Sequence, residues 1–392
     1  MHVVYTIGKL YNPTTNRLDS VTLRSYANSA DGARRRYVAP TIPVAPGDTI
    51  HIVLHNDLPD DPTCADMPGM DMNHPHCFNG TNLHTHGLWV SPTGNSDNVL
   101  LSIDPKQTFE YIYNIPSDHP AGTFWYHTHR HGSTALQVSS GMAGAIIIRG
   151  NRPPTPLKNG DIDTLLKDVP EEVLVMQQIQ YACLTKDYTI QVQTNSDGQV
   201  IAWPCNPDQV GIVGPYIGTD GQLGYSDKNN RGYGPGNWLA SDRYTSINGI
   251  VLPTFTATAG QMVRWRMIHA GVRDTISLQF YRMRPNVKFA GIAPQEDQSF
   301  INANCVGDPI PYHAIAQDGL TLAQAQRTTL ATFQPGYRVD ALVMFPQAGD
   351  YCVIDASSPA GSNIERARTS PDGCSARSMS VGPPTSPTSA RN

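Results

Sequence analysis

The sequence predicts an all-β fold built from two sandwich domains, and three observations carry that reading. Gly and Pro together are frequent, at 33 and 32 of 392 positions, which suits short strands and turns better than long helices. Segments with helical periodicity are scarce; Leu320 to Gln326 could form a turn or two of helix. The chain also repeats itself once. Ala39-Pro40-Thr41 through Gly47-Asp48-Thr49-Ile50-His51-Ile52 resembles Leu252-Pro253-Thr254 through Gly260-Gln261-Met262-Val263-Arg264-Trp265, with the shared Pro and Gly both offset by 213. Ala121-Gly122-Thr123-Phe124-Trp125-Tyr126 returns as Ala348-Gly349-Asp350-Tyr351-Cys352-Val353 at an offset of 227. Each copy reads as a strand, a Gly turn and a second, alternating strand.

These landmarks divide the chain in order. Residues 1–150 form the first expected sandwich, and Met142 to Ile148, its densest apolar run, has the length of a buried strand. Residues 151–168, rich in Pro, Asn and Asp, read as a linker. Residues 169–356 form the second sandwich, with the Gly-rich stretch Gly211 to Gly236 expected as a surface excursion. Residues 357–392 contain 9 Ser, 3 Thr and 5 Pro with no aromatic, so a flexible tail is expected there.

Composition removes several function classes. A net charge of −5 leaves no basic surplus for nucleic acid, and no apolar run reaches membrane-spanning length. Pairing the seven Cys by proximity gives Cys64/Cys77, Cys183/Cys205 and Cys305/Cys352, leaving Cys374. Such bridges argue for a periplasmic or secreted protein, although Met1-His2-Val3-Val4 opens directly into strand-like sequence with no signal peptide visible.

The chemistry lies in Leu83-His84-Thr85-His86-Gly87 and Trp125-Tyr126-His127-Thr128-His129. On a strand, residues i and i+2 share a face about 7 Å apart, so two neighbouring His-x-His strands converge four imidazoles. Neutral imidazole suits copper, zinc, iron or nickel, and the spacing alone does not separate them. A single His-x-His is a weak signal; two in one domain are far less readily accidental. The stretch Cys64 to Cys77 adds three Met and two His. It reads first as a closed surface loop, with a Cu(I)-loading role as the alternative.

With these motifs in view, the chain resembles the multicopper oxidases, the laccase-like enzymes built from cupredoxin domains. The resemblance runs from about Tyr5 to Ala356 and includes Asn248-Gly249 and Arg264-Trp265-Arg266. It implies two cupredoxin-like Greek-key domains, with His84 on a type 2 copper and His86, His127 and His129 on a type 3 pair. Asp97 falls where the family often places an acid that is hydrogen-bonded through water and delivers protons; a plain turn residue is the alternative. His131 is expected to support the copper ligands from outside or to be structural, rather than to bind copper itself. The family's blue copper needs a Cys flanked by His, and no His-Cys-His or His-Pro-x-His-x-His occurs in this sequence. In the repeat, Ile354 and Ala356 stand where His127 and His129 stand. The expectation is therefore the first two domains of a three-domain oxidase, truncated before the third, holding one or two type 2/type 3-like copper ions and no type 1 copper. Phenolic or similar small donors and O2 are the implied partners if it turns over. The rivals are a non-catalytic copper-binding or scaffold protein and a chain that completes its cluster with a partner. A face left bare near Trp89 and Trp125 would favour a homo-oligomer.

Overall fold

The computed structural model describes residues 1–28, 37–65, 75–213, 237–272, 274–287 and 297–356, together with the backbone of 377–382. The first sandwich packs two sheets face to face. One has the order β12 (Val210–Ile212), β2 (Arg17–Ala27), β1 (His2–Asn12), β4 (Thr49–Asn56), β6 (Thr108–Asn114); the other has the order β3 (Ile42–Val44), β8 (Ala143–Ile148), β7 (Gly122–His127), β5 (His84–His86). Between them lie Val3, Leu54, Tyr111, Tyr113, Phe124, Tyr126, Ile146 and Ile148. Further along β1, Val4, Thr6 and Leu10 are buried while Tyr5, Ile7 and Lys9 face solvent, and Leu10 packs in a separate cluster with Val21, Leu23 and Tyr37.

Strands β7 and β8 break this alternation, being buried at every residue. Their second face, Trp125, Ala143, Ala145 and Ile147, packs on Val175, Ile268 and Ala270 of the second sandwich. Burial on both faces accounts for the continuous apolar run ending at Ile148.

The second sandwich faces two sheets across Trp265, Met267, Phe280, Tyr312, Phe333 and Val353. One sheet runs β14 (Ile250–Val251), β13 (Ser246–Ile247), β9 (Glu171–Gln177), β16 (Met262–His269), β22 (Arg338–Met344), β19 (Tyr312–Gln317), β20 (Leu320–Thr328). The other runs β15 (Thr254–Thr256), β24 (Arg377–Gly382), β23 (Tyr351–Asp355), β17 (Ile276–Met283), β18 (Cys305–Val306), with β21 (Ala331–Phe333) also on β17. A small separate pair joins β10 (Gln193–Thr194) and β11 (Val200–Ala202). Among the described residues, helix is confined to short pieces: α1 (Thr134–Ser139), α2 (Ile162–Leu165), α3 (Asn237–Ser241), α4 (Asp297–Asn304) and one 3₁₀ turn (Pro62–Cys64).

Four expectations need correction. Leu320 to Gln326 is strand, not helix: Asp318 and Gly319 have φ of 50° and 86°, a two-residue hairpin turn that folds β20 back on β19. Val210–Ile212 is no surface excursion, because it pairs in parallel with β2. Gly211 is buried, and a Cβ there would stand 2.7 Å from the Tyr181 ring, so glycine admits the close approach. Residues 214–236 lie outside the described residues. Within the expected tail, 377–382 is strand, because its backbone groups are taken up on both sides by β15 and β23. Lastly, Trp125 is buried rather than left bare, being covered by the second sandwich and the site histidines.

All three proximal disulfides form: Cys64–Cys77, Cys183–Cys205 and Cys305–Cys352. Cys374 lies outside the described residues. A buried polar network joins the two sandwiches. Arg264 and Arg266 share Asp340 and Asp163, Arg266 also bonds Glu171 at 2.9 Å, and Thr123 of β7 donates to Asp340 at 2.6 Å. Asp163 comes from the segment expected to be a linker, where Arg152 is forked on Asp161.

Candidate metal centre

Strand β5 is three residues long and pairs antiparallel with β7, so that His84 faces His127, Thr85 faces Tyr126 and His86 faces Trp125. Same-face alternation then brings the imidazoles together. The His84 ring lies 5.5 Å from His86, 5.1 Å from His127 and 5.1 Å from His129, centroid to centroid. His86 and His127 approach to 3.2 Å between Nδ1 and Nε2. One nitrogen from each of His84, His86 and His127 falls within 4.8 Å of the others. The turn that ends β5 needs Gly87, whose φ is 88°.

Outer contacts orient these rings. Asp97 Oδ1 accepts from His84 Nδ1 at 2.9 Å and from the Thr85 N–H at 2.8 Å. Asp97 thus touches an imidazole directly and braces the strand that carries it. His127 Nδ1 donates to the Thr128 carbonyl at 2.6 Å, which leaves Nε2 with its lone pair toward the cluster. Trp125 stacks on His127 at 4.2 Å and on His86 at 5.1 Å.

The second sandwich supplies a wall that the motifs gave no sign of. A Cβ on Gly336 would lie 3.4 Å from His86 Cε1, and one on Gly87 would lie 2.7 Å from Arg338 Nη2. Arg338 is buried and donates to the carbonyls of Gly336 and Asp318, each at 2.9 Å. Burial, then the Arg338 charge and the neighbouring imidazoles, push His86 down to about 4. Burial first and His84 second hold His127 well below the ordinary histidine range, and the same two causes lower His129. These three rings are therefore neutral at pH 7, the form that binds metal.

His131 is exposed, with its ring 6.3 Å from that of His76. A second donor group, Cys64, Cys77 and Asp104, offers no thiolate because the cysteines are bridged. Residues 66–74, with the three methionines, lie outside the described residues.

A β-sandwich that presents four converging imidazoles has the donor set of a metal-binding sandwich domain. Known proteins narrow the class. A family model for multicopper oxidases matches residues 73–153. Laccase-1 of Emericella nidulans is 29% identical over 39% of this chain and 21% of its own length. The iron transport multicopper oxidase FET3 of Saccharomyces cerevisiae is 29% identical over 39% of this chain and 22% of its own. In fold, the Campylobacter jejuni multicopper oxidase, a metallo-oxidase, matches with TM-score 0.54 at 16% identity, over 97% of this chain and 56% of that one. Fet3p, a multicopper oxidase that functions in iron import, matches at 0.53 and 15% identity over 98% of this chain and 53% of its own. Residues 73–153 thus match the multicopper oxidase family, and that similarity implies copper as the metal. The matched stretch spans about a fifth of the curated relatives. Among the described residues, no helix is long and apolar enough to cross a membrane.

Proposed function

We propose that His84, His86, His127 and His129 hold one or two type 2/type 3-like copper ions. We further propose that the chain serves a laccase-like oxidation of phenolic or similar small donors by O2. The observation that carries the reading is the clustering of neutral imidazoles around His84, within 5.5 Å centroid to centroid. The donor set fits copper, since imidazole nitrogen suits it and the orienting bonds on Nδ1 of His84 and His127 leave Nε2 of each ring as the nitrogen that could bind metal. Copper bound there supplies one-electron chemistry toward dioxygen. Asp97 holds the His84 ring through Nδ1–H, and we assign to its carboxylate the movement of protons at that edge of the site.

Residues 1–150 and 169–356 act, in this reading, as the two cupredoxin-like units. Three disulfides support a periplasmic or secreted location. The half-exposed Trp89 beside the first motif supports self-association through that face. The test is copper content per chain in the His127→Ala/His129→Ala double variant. It is expected to lose most of the metal that the unaltered protein takes up, and unchanged stoichiometry would move the site elsewhere.

A further inference from the structure

Strand register accounts for His84, His86 and His127 but not for His129. β7 ends at His127, and His129 stands two residues beyond it with an exposed side chain. Its backbone is instead fixed by Asn82, whose Oδ1 accepts the His129 N–H at 2.6 Å. The same amide donates from Nδ2 to the carbonyls of Val99 and Leu101, at 3.1 and 3.0 Å. Asn82 is wholly buried, and these bonds use both of its donors and one acceptor position.

The segment around it is held as firmly. Tyr26 Oη donates to the Asn82 carbonyl at 3.2 Å. Tyr111 Oη accepts the Leu83 N–H at 3.0 Å, and Tyr113 Oη donates to the Leu83 carbonyl at 3.0 Å. One side chain therefore joins three pieces of chain: the approach to His84, the loop that follows Asp97, and His129.

We infer that Asn82 is a positioning residue of the histidine centre, setting His129 against His84 and Asp97. This rests on the copper reading proposed above. Removing a side chain that orients metal ligands typically lowers affinity by about 10- to 100-fold. The molecule contains its own control. Asn56 is also buried, donates to the carbonyls of Asn79 and Ile103 at 2.7 and 2.9 Å, and accepts the Leu58 N–H at 3.3 Å. Its bonds are of the same kind as those of Asn82, but none of them is to a histidine.

The experiment compares Asn82→Ala, Asn82→Asp and Asn56→Ala in the full chain. Cu(II) affinity is read by chelator competition, stability by thermal unfolding, and the His129 amide by hydrogen exchange in copper-free protein. Both alanine variants are expected to lose similar stability. Only Asn82→Ala should lower copper affinity, by about 10- to 100-fold, and unprotect the His129 amide. Asn82→Asp keeps an oxygen acceptor and should retain that protection even with reduced stability. Equal copper affinity in the two alanine variants, with the His129 amide still protected in both, would overturn the inference. If the unaltered protein takes up no copper, the copper reading fails, while exchange at His129 still decides whether Asn82 positions that residue.

Discussion

Strands β7 and β23 occupy corresponding places in the two repeats and do different work. Both begin at or just after an Ala-Gly pair, both are buried along most of their length, and both lie inside a sheet. On β7, Trp125 stacks against the imidazoles of His86 and His127, and His127 ends the strand opposite His84. At the repeat offset, Cys352 stands in place of Trp125 and is bridged to Cys305, while Ile354 stands in place of His127 and packs with Met283 and Ile301. Their neighbours differ too: β7 has the short β5 on one side, whereas β23 lies between β17 and β24. A shared backbone frame decides where side chains converge; their identity decides whether a donor cluster or a stapled apolar core results.

Several changes would break or sharpen this contrast, in descending size. Arg266→Ala should have the largest effect. It removes a wholly buried guanidinium that neutralises Asp163, Asp340 and Glu171 between the sandwiches, and breaking such a pair costs roughly 3–5 kcal/mol. Chemical denaturation measures it, and a loss below about 1 kcal/mol would show that the network is dispensable.

Acid should act next, through the second sandwich. His269 is fully buried, accepts the Gly271 N–H on Nδ1, and donates from Nε2 to the Asp274 carbonyl. Burial, as the leading cause, lowers it to about 4. The unfolded chain then binds the proton more readily, so this contribution is complete above about pH 6.5 and is lost as pH falls toward 4. The slope from one such group is at most about 1.4 kcal/mol per pH unit. Copper-free protein should therefore lose stability across that window, and His269→Gln should reduce the loss without abolishing it, because His86, His127 and His129 are lowered by burial too; an unchanged slope would show that His269 makes no contribution.

Gly319→Ala comes third, at about 1–3 kcal/mol, because its Cβ would stand 2.4 Å from the Phe124 ring of β7 and its φ is 86°. Thermal unfolding should show the loss, with copper affinity falling alongside because β7 carries His127. Smallest of all, Ile354→His with Ala356→His should add no copper-binding capacity to the second sandwich. Metal analysis showing an additional ion per chain would refute the view that the β5–β7 pairing is needed.

Much of this arrangement could be read from the residues, and the remainder had physical reasons for staying hidden. The apolar run into Ile148, the two His-x-His motifs and the proximal cysteine pairs are local signals, and local geometry realises them. Strand β20 was obscured because Leu, Ala and Gln are good helix formers and its side chains are mostly exposed; Asp318-Gly319 was the available clue. Asn82, Gly336 and Arg338 act through tertiary contact, and no spacing rule brings Arg338 to Gly87. The placement of His129 seemed to follow from the strand rule, yet its fixed point is a side-chain amide 47 residues away in sequence.

The most direct test of the central claim is pulsed EPR, with a visible spectrum, on the Cu(II)-loaded full chain. The account predicts nitrogen couplings from coordinated imidazole, a signal of type 2 character, and no intense blue thiolate band, because the three described cysteine pairs are bridged and no Cys here is flanked by two His. Bound copper without imidazole couplings, or a strong blue band with narrow hyperfine splitting, would contradict it.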